Sequence, residues 1–348
     1  LKSRTVNAAD FLQANIGYRF GTQQNTWARL GRFSEDWGSR RLMARNRFRN
    51  TINAFDGLVV HHDGDNGVHT RFMATQVVRR LPGDFASLLD NEIESDESSD
   101  AQQFYGFHTS FPNLFDAFIT EAFYYSIKEK DTSKVRTRNK NFDSMGFRLR
   151  KPPRAGEFEF EIETIFQTGE RRASTAATDT TNLDHRAYFQ YLMLGYTFDV
   201  PSNLRLQIEL DYASGDNDPF DQDNERFDSL FGPTTFEFAV VGLYDPFNRS
   251  NILTPGIRLF ADVSTDVSLM ASYRHWWLAD AQDSWGRTGL RDRSGRSGRY
   301  LGQHLQLRLR WDVIPGNLRI ETGGVYLDAK NLSNKEPKYF YTSATFTF

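Results

Sequence analysis

Apolar and polar residues alternate one by one along most of this chain. In residues 204–213, LRLQIELDYA, the residues Leu204, Leu206, Ile208, Leu210 and Tyr212 fall on one side, and Arg205, Gln207, Glu209, Asp211 and Ala213 on the other. A repeat of two predicts a β-strand with one apolar and one polar face. The pattern recurs at 11–20, 26–33, 53–62, 68–79, 103–111, 117–127, 142–151, 157–168, 186–198, 204–213, 252–263, 266–278, 300–312, 317–327 and 338–348. That makes about fifteen segments, each near the roughly 9 to 11 residues that a tilted strand needs to cross a bilayer. No stretch of similar length carries a helical period.

The segments between these strands fall into two alternating classes. Short ones hold turn residues: GTQQN at 21–25, DGDNG at 63–67, PNLFD at 112–116, KPPRAG at 151–156, DVPSN at 199–203 and VIPGN at 313–317. Long polar ones lie between them at 34–52, 80–102, 128–141, 169–185, 214–251 and 279–299. Short turns at one end and long loops at the other predict an all-β, antiparallel transmembrane barrel standing in an outer membrane, as one domain over 1–348. The first strand runs into a short turn and the last, ending TSATFTF, runs the same way. Two such edges do not close antiparallel, so one or three further strands are expected before Leu1. Closure would then give roughly 16 or 18 strands, wide enough for a water-filled channel.

Composition agrees with a barrel and removes other classes. The 348 residues are 39% hydrophobic with a mean hydropathy of −0.59, so no apolar run is long enough for a membrane helix, a test that barrels pass unseen. Aromatic residues reach 14%, which suits girdles at two membrane interfaces. A net charge of −3 argues against nucleic acid as a partner. Cysteine is absent, which removes disulfides, thiolate catalysis and cysteine-ligated zinc. No signal peptide opens the chain, so any such segment has been removed or is not included.

The alternation has two readings. In a soluble β-rich carbohydrate-binding protein the apolar face is buried; in a membrane barrel it meets lipid and the polar face lines the lumen. On the barrel reading Leu301, Leu305, Leu307, Leu309 and Trp311 point outward while His304, Gln306, Arg308 and Arg310 point inward. The same bookkeeping turns Arg19, Arg29, Arg71, Arg148, Arg150, Arg205, Arg258, Arg274 and Arg319 inward, against Glu121, Glu159, Glu161, Glu163, Glu209, Asp211 and Glu321. Arginines outnumber carboxylates on this face although the whole chain is acidic. Arginine keeps its charge and binds carboxylates bidentately, so the wall is expected to prefer anions. Paired with carboxylates, the same arginines would simply order water and stiffen the wall. Arg40, Arg41, Arg45, Arg47 and Arg49, in the loop at 34–52, would collect anions if that loop folds into the mouth.

Other chemistry is weaker. Glu159, Glu161 and Glu163 share one strand face, as a glycosidase pair might, but facing arginines make a salt-bridged wall the simpler reading. His61 and His62 are neighbours on a strand and so face opposite sides. In the loop GDNDPFDQDNERFD, Asp216, Asp218, Asp221 and Asp223 are spaced to suit a calcium ion; otherwise the loop is a solvated or lumen-plugging acidic segment that could gate the pore. No other cofactor is indicated.

Several runs carry a resemblance. RLGRFSEDWGSRRL at 29–42, AFDGL at 54–58, ELDYASGDNDP at 209–219, FDSLFG at 227–232 and HWWLADAQDSW at 275–285 resemble the alginate-export family of outer-membrane porins, in that family's order. Phe33 departs from it, standing where the family usually has glutamine. The resemblance implies a monomeric barrel of roughly 18 strands with an arginine-lined pore that passes acidic polysaccharide by diffusion. Its partners would be membrane lipid and lipopolysaccharide, anionic polysaccharide or small anionic solutes, and envelope proteins at the short-turn end. A general or uptake porin for small hydrophilic solutes is the nearest alternative.

Overall fold

The structure, a computed structural model, describes residues 3, 6, 8–46, 51–112, 114, 118–233, 237–238, 246–333 and 335–348. The alternating segments form strands β1 (Ala14–Phe20), β2 (Thr26–Phe33), β3 (Phe55–Asp63), β4 (His69–Arg79), β5 (Glu97–Phe111), β6 (Ile119–Glu129), β7 (Asn141–Lys151) and β8 (Phe158–Arg171). They continue as β9 (Leu183–Thr197), β10 (Arg205–Ala213), β11 (Asp223–Asn224), β12 (Ile252–Asp262), β13 (Val267–Trp277), β14 (Tyr300–Ile314), β15 (Leu318–Ala329) and β16 (Lys338–Phe346). Every strand read from the alternation is present. The addition is β11, which pairs in parallel with β9 through Asp223 with Asp184 and Asn224 with His185.

All other strands pair antiparallel with their sequence neighbours, in one 16-stranded sheet. The expected count of 18 strands is corrected to 16, one of them the short β11. The antiparallel succession leaves β1 and β16 pointing the same way, and among the described residues they do not pair with each other. No helix is long and apolar enough to cross a membrane; the short helix α1 (Phe85–Leu89), capped by the Asp84 carboxylate on the Ser87 amide, lies in the β4–β5 connection.

The sheet is sided as expected. On β10, Ile208 is 59% and Leu206 39% exposed, whereas Gln207, Glu209 and Asp211 are buried. The oily row is thus the outer surface. It carries aromatic clusters at both rims: Phe158, Tyr196 and Phe198 by the short turns, Phe166, Tyr188 and Tyr212 by the long loops.

One side assignment fails. Leu301 is fully buried, because Gly302 takes a φ of 129° and shifts the β13–β14 register at Trp276 and Trp277. The extra residue of this bulge turns Leu301 inward while Leu305, Leu307 and Trp311 stay outside.

Candidate functional site

The inner face changes character along the strands. The half nearer the long loops holds an aromatic and aliphatic core: Phe55, Phe104, Tyr125, Phe142, Phe189, Ile252 and Trp276 are buried there. Two inward-folded loops complete this core. Phe231 meets Phe55 and Phe104 edge-on at 5.0 and 4.9 Å, and Phe247 stacks on Trp276 at 3.6 Å. Trp37, from the first long loop, is buried beside Tyr125. Gly232 lets the loops meet, since a Cβ there would collide with the carbonyl of Arg41. Aromatic side chains therefore fill much of the lumen at the loop end, and the turn end is polar, where a water-filled channel was expected.

In the polar half the predicted residues come together as ion pairs. Arg205 donates to both oxygens of Glu159 at 2.6 and 2.7 Å. Gly195 stands between these strands, and its missing side chain lets Glu159 reach β10. Arg148 joins Glu121 at 3.0 Å to Glu161 at 2.8 Å. Glu209 accepts from Arg258 at 3.0 Å, from Tyr191 at 3.0 Å and from Arg274, which also donates to Asp211 at 3.0 Å. Arg310 pairs with Glu321 at 2.5 Å, Arg319 with Asp312 at 2.7 Å, and Arg29 with Glu35.

Four predicted arginines make no ion pair among the described residues: Arg19, Arg71, Arg150 and Arg308. Arg19 lies 5.9 Å from the Trp27 ring, and Arg71 donates to the Asp36 carbonyl at 3.3 Å. The Nε of Arg150 is buried with no hydrogen-bond partner.

The loop at 34–46 sets the centre of the site. Its turn is closed by the Arg40 amide donating to the Trp37 carbonyl at 2.9 Å and the Trp37 amide to the Met43 carbonyl at 3.2 Å. Arg41 then reaches across the lumen. It pairs with Glu161 at 2.6 Å, with Glu163, and with Glu237 at 2.5 Å, and its guanidinium lies 3.7 Å over the Tyr191 ring. Burial opposes its charge, but Glu161 and Glu163 raise its pKa above the ordinary arginine value. The pair with Glu237 ties the first loop to the second, within which Arg249 also pairs with Glu237. Of the other mouth residues, Arg45 pairs with Asp36 at 3.1 Å, Arg40 is exposed, and Arg47 and Arg49 lie outside the described residues.

A polar cavity of about 390 Å³ remains, lined by Arg41, Arg148, Arg150, Arg205, Arg258 and Glu161 among others. Fixed guanidinium forks around such a space can hold a carboxylate bidentately and pass it between neighbours. Glu159, Glu161 and Glu163 are each held by arginine, as a salt-bridged wall requires. His61 is buried against Trp27 and His62 exposed, so the two do face apart.

The four loop aspartates do not converge. Asp218 and Asp221 accept from the amides of Phe220 and Asp223, closing their own turns, while the Asp216 amide donates to Asp283 at 3.1 Å. Among the described residues no group of three or more His, Asp or Glu side chains could hold a metal ion. Glu237, Arg249, Tyr191 and Ser39 were not anticipated. The loop pair Glu237 and Arg249 carries no periodic signal, and Tyr191 and Ser39 act through their contacts with Arg41, Glu209 and Glu163.

The fold has close counterparts. The chain is similar to Pseudomonas aeruginosa OccD3 (OpdP), with 14% identity and a TM-score of 0.59 over 97% of this chain and 78% of that one. It is similar to P. aeruginosa OccK2 (OpdF) in complex with glucuronate, at 11% identity and 0.57 over 93% and 79%. Acinetobacter baumannii OccAB3 follows at 10% identity and 0.56, over 92% and 75%. No curated protein matches. The sequence profile described as alginate export matches residues 2–337. With an oily exterior, a charged interior and a porin's succession of strands, the chain belongs to the alginate export family, whose place is the bacterial outer membrane.

Proposed function

We propose that this sheet is the wall of a monomeric channel, which passes acidic polysaccharide or oligosaccharide by diffusion and prefers anions. The reading rests on the arginines of the turn-end lumen. Among the described residues Arg71, Arg150 and Arg308 make no ion pair, and Arg41, Arg148, Arg205 and Arg258 rim one cavity. A uronate residue offers the planar carboxylate that such forks grip, and its hydroxyls suit the polar wall. Passage needs no cofactor, bound calcium or catalytic step, since positions along the lumen exchange a carboxylate without breaking a bond.

Reversal potential across a planar bilayer with a salt gradient tests this. Anion preference and concentration-dependent block by uronate oligomers are expected, and cation preference overturns the reading.

A second reading is uptake of small acidic sugars. The aromatic loop-end core favours it by narrowing the path, and so does the likeness to OccK2, which was solved with glucuronate. Block by the monomeric uronate as strong as block by the oligomer selects this second reading.

A further inference from the structure

The outer wall also carries a feature that the lumen does not use. On five adjacent strands Leu259, Ala271, Leu307, Gly324 and Phe340 stand at one level, facing outward. Two of the five have the smallest side chains. A cavity of about 930 Å³ opens over them, walled by Leu305, Leu309 and Tyr326. The packing does not call for this glycine: a Cβ on Gly324 would meet nothing nearer than 3.6 Å, whereas one on Gly323 would strike Tyr341. Glycine inside a strand weakens it, and outside a bulge or bend it is one mark of a place where a ligand or another backbone comes close.

The levels above, toward the long loops, bring in polar groups although they too face outward. Tyr273 and Lys338 flank Leu305 and Tyr326 there, and His275, Gln303 and Asp328 align one step higher. Tyr273 Oη donates to Gln303 at 2.5 Å, and Gln303 Nε2 donates to Asp328 at 3.1 Å. His275 lies 3.0 Å from Tyr273 Oη and 3.1 Å from Tyr300 Oη. Lys330 pairs with Asp328 at 2.5 Å, and Lys338 Nζ sits 5.8 Å from the Tyr326 ring centre. Rings of Trp277 and Tyr300, 5.2 Å apart, border the row.

An oily seat lies toward the bilayer centre, and hydroxyl, amide, aromatic and ammonium groups lie toward the long-loop surface. That is the order of groups in a lipid of the outer leaflet, chain below and head above. The hydrogen-bonding row and the aromatic rings suit a sugar head, and Lys338 suits a phosphate. We propose that this face seats an acyl chain of a phosphorylated, sugar-headed lipid of the outer leaflet, with its head against Tyr273, Gln303, Asp328 and Lys338. Phospholipids supply chain and phosphate but no sugar, and they are the competing occupants.

Native mass spectrometry of the full chain in detergent, titrated with lipid A, dephosphorylated lipid A and phosphatidylethanolamine, tests the proposal. Lipid A should bind ahead of phosphatidylethanolamine. Gly324→Leu should weaken lipid A by about tenfold, the equivalent of roughly two buried methylenes. Lys338→Glu should weaken the phosphorylated form and leave the dephosphorylated one unchanged. Equal binding of phosphatidylethanolamine, or equal lipid A binding by the parent and both variants, overturns it. If Gly324→Leu does not fold, Lys338→Glu decides alone. Conductance plays no part in this measurement, so its result is independent of the channel reading.

Discussion

Arg41 lies 2.6 Å from Glu161, so the tip of a long loop is bonded to strand β8 inside the barrel wall. The same guanidinium also faces Glu163 and Glu237, and removing it leaves three carboxylates without their shared cation. Arg41→Gln should destabilise the fold by about 3–5 kcal/mol, the usual consequence of orphaning buried charge. Single-channel recording should show higher conductance and a reversal potential moved toward cations. A variant that keeps the parent's conductance and selectivity would deny the loop any part in the constriction.

Glu159 neutralises Arg205 in the turn-end lumen. Glu159→Gln frees that cation, worth about 1 kcal/mol, or roughly fivefold, for an anion about 4 Å away in water. The anion-to-cation permeability ratio should rise accordingly, and an unchanged ratio would show that Glu159 does not face the permeation path.

Asp228 gives a pH dependence outside the spanning strands. Burial alone would raise its pKa, but Lys140 at 2.8 Å and Arg171 at 3.1 Å hold it well below the usual carboxylate range. A depressed carboxyl stabilises the fold above the unfolded pKa near 4, and that contribution is lost as pH falls through the lower native value. Asp228→Asn should therefore melt below the parent at pH 7, with the gap closing only under strongly acid conditions. A gap that is already closed at pH 5 would contradict the ion-pair account.

Ile208 tests the side of the wall that meets lipid. Ile208→Arg places a charge on the outer row and should cost about 2–4 kcal/mol near the bilayer midplane. In a semi-native gel the fraction of folded, fast-migrating protein should drop, while Ile208→Leu should migrate like the parent.

Much of this architecture was legible in the residues. The strands were visible because each alternates, and the side of the wall because Ile208 and Glu209 differ so sharply in polarity. The bulge was not, since Gly302 inserts one residue without breaking the pattern of the residues after it, and Leu301 was turned the wrong way. The aromatic core was signalled but not read: in FYY at 123–125 both strand faces become apolar toward the loop end. The latch of Arg41 depends on contacts across more than a hundred residues, as with Glu163, and no local pattern encodes such a pairing.

The apolar cap has a consequence for biogenesis. Phe231 packs on Phe55 and Phe104, residues far earlier in the chain, and those rings are brought side by side only when β3, β4 and β5 are zipped. The loops therefore have no template until the wall exists, and contacts of such long sequence separation form late. Until then the aromatic side chains of both loops stay uncovered, and an unassembled chain with such exposed apolar surface is prone to aggregate.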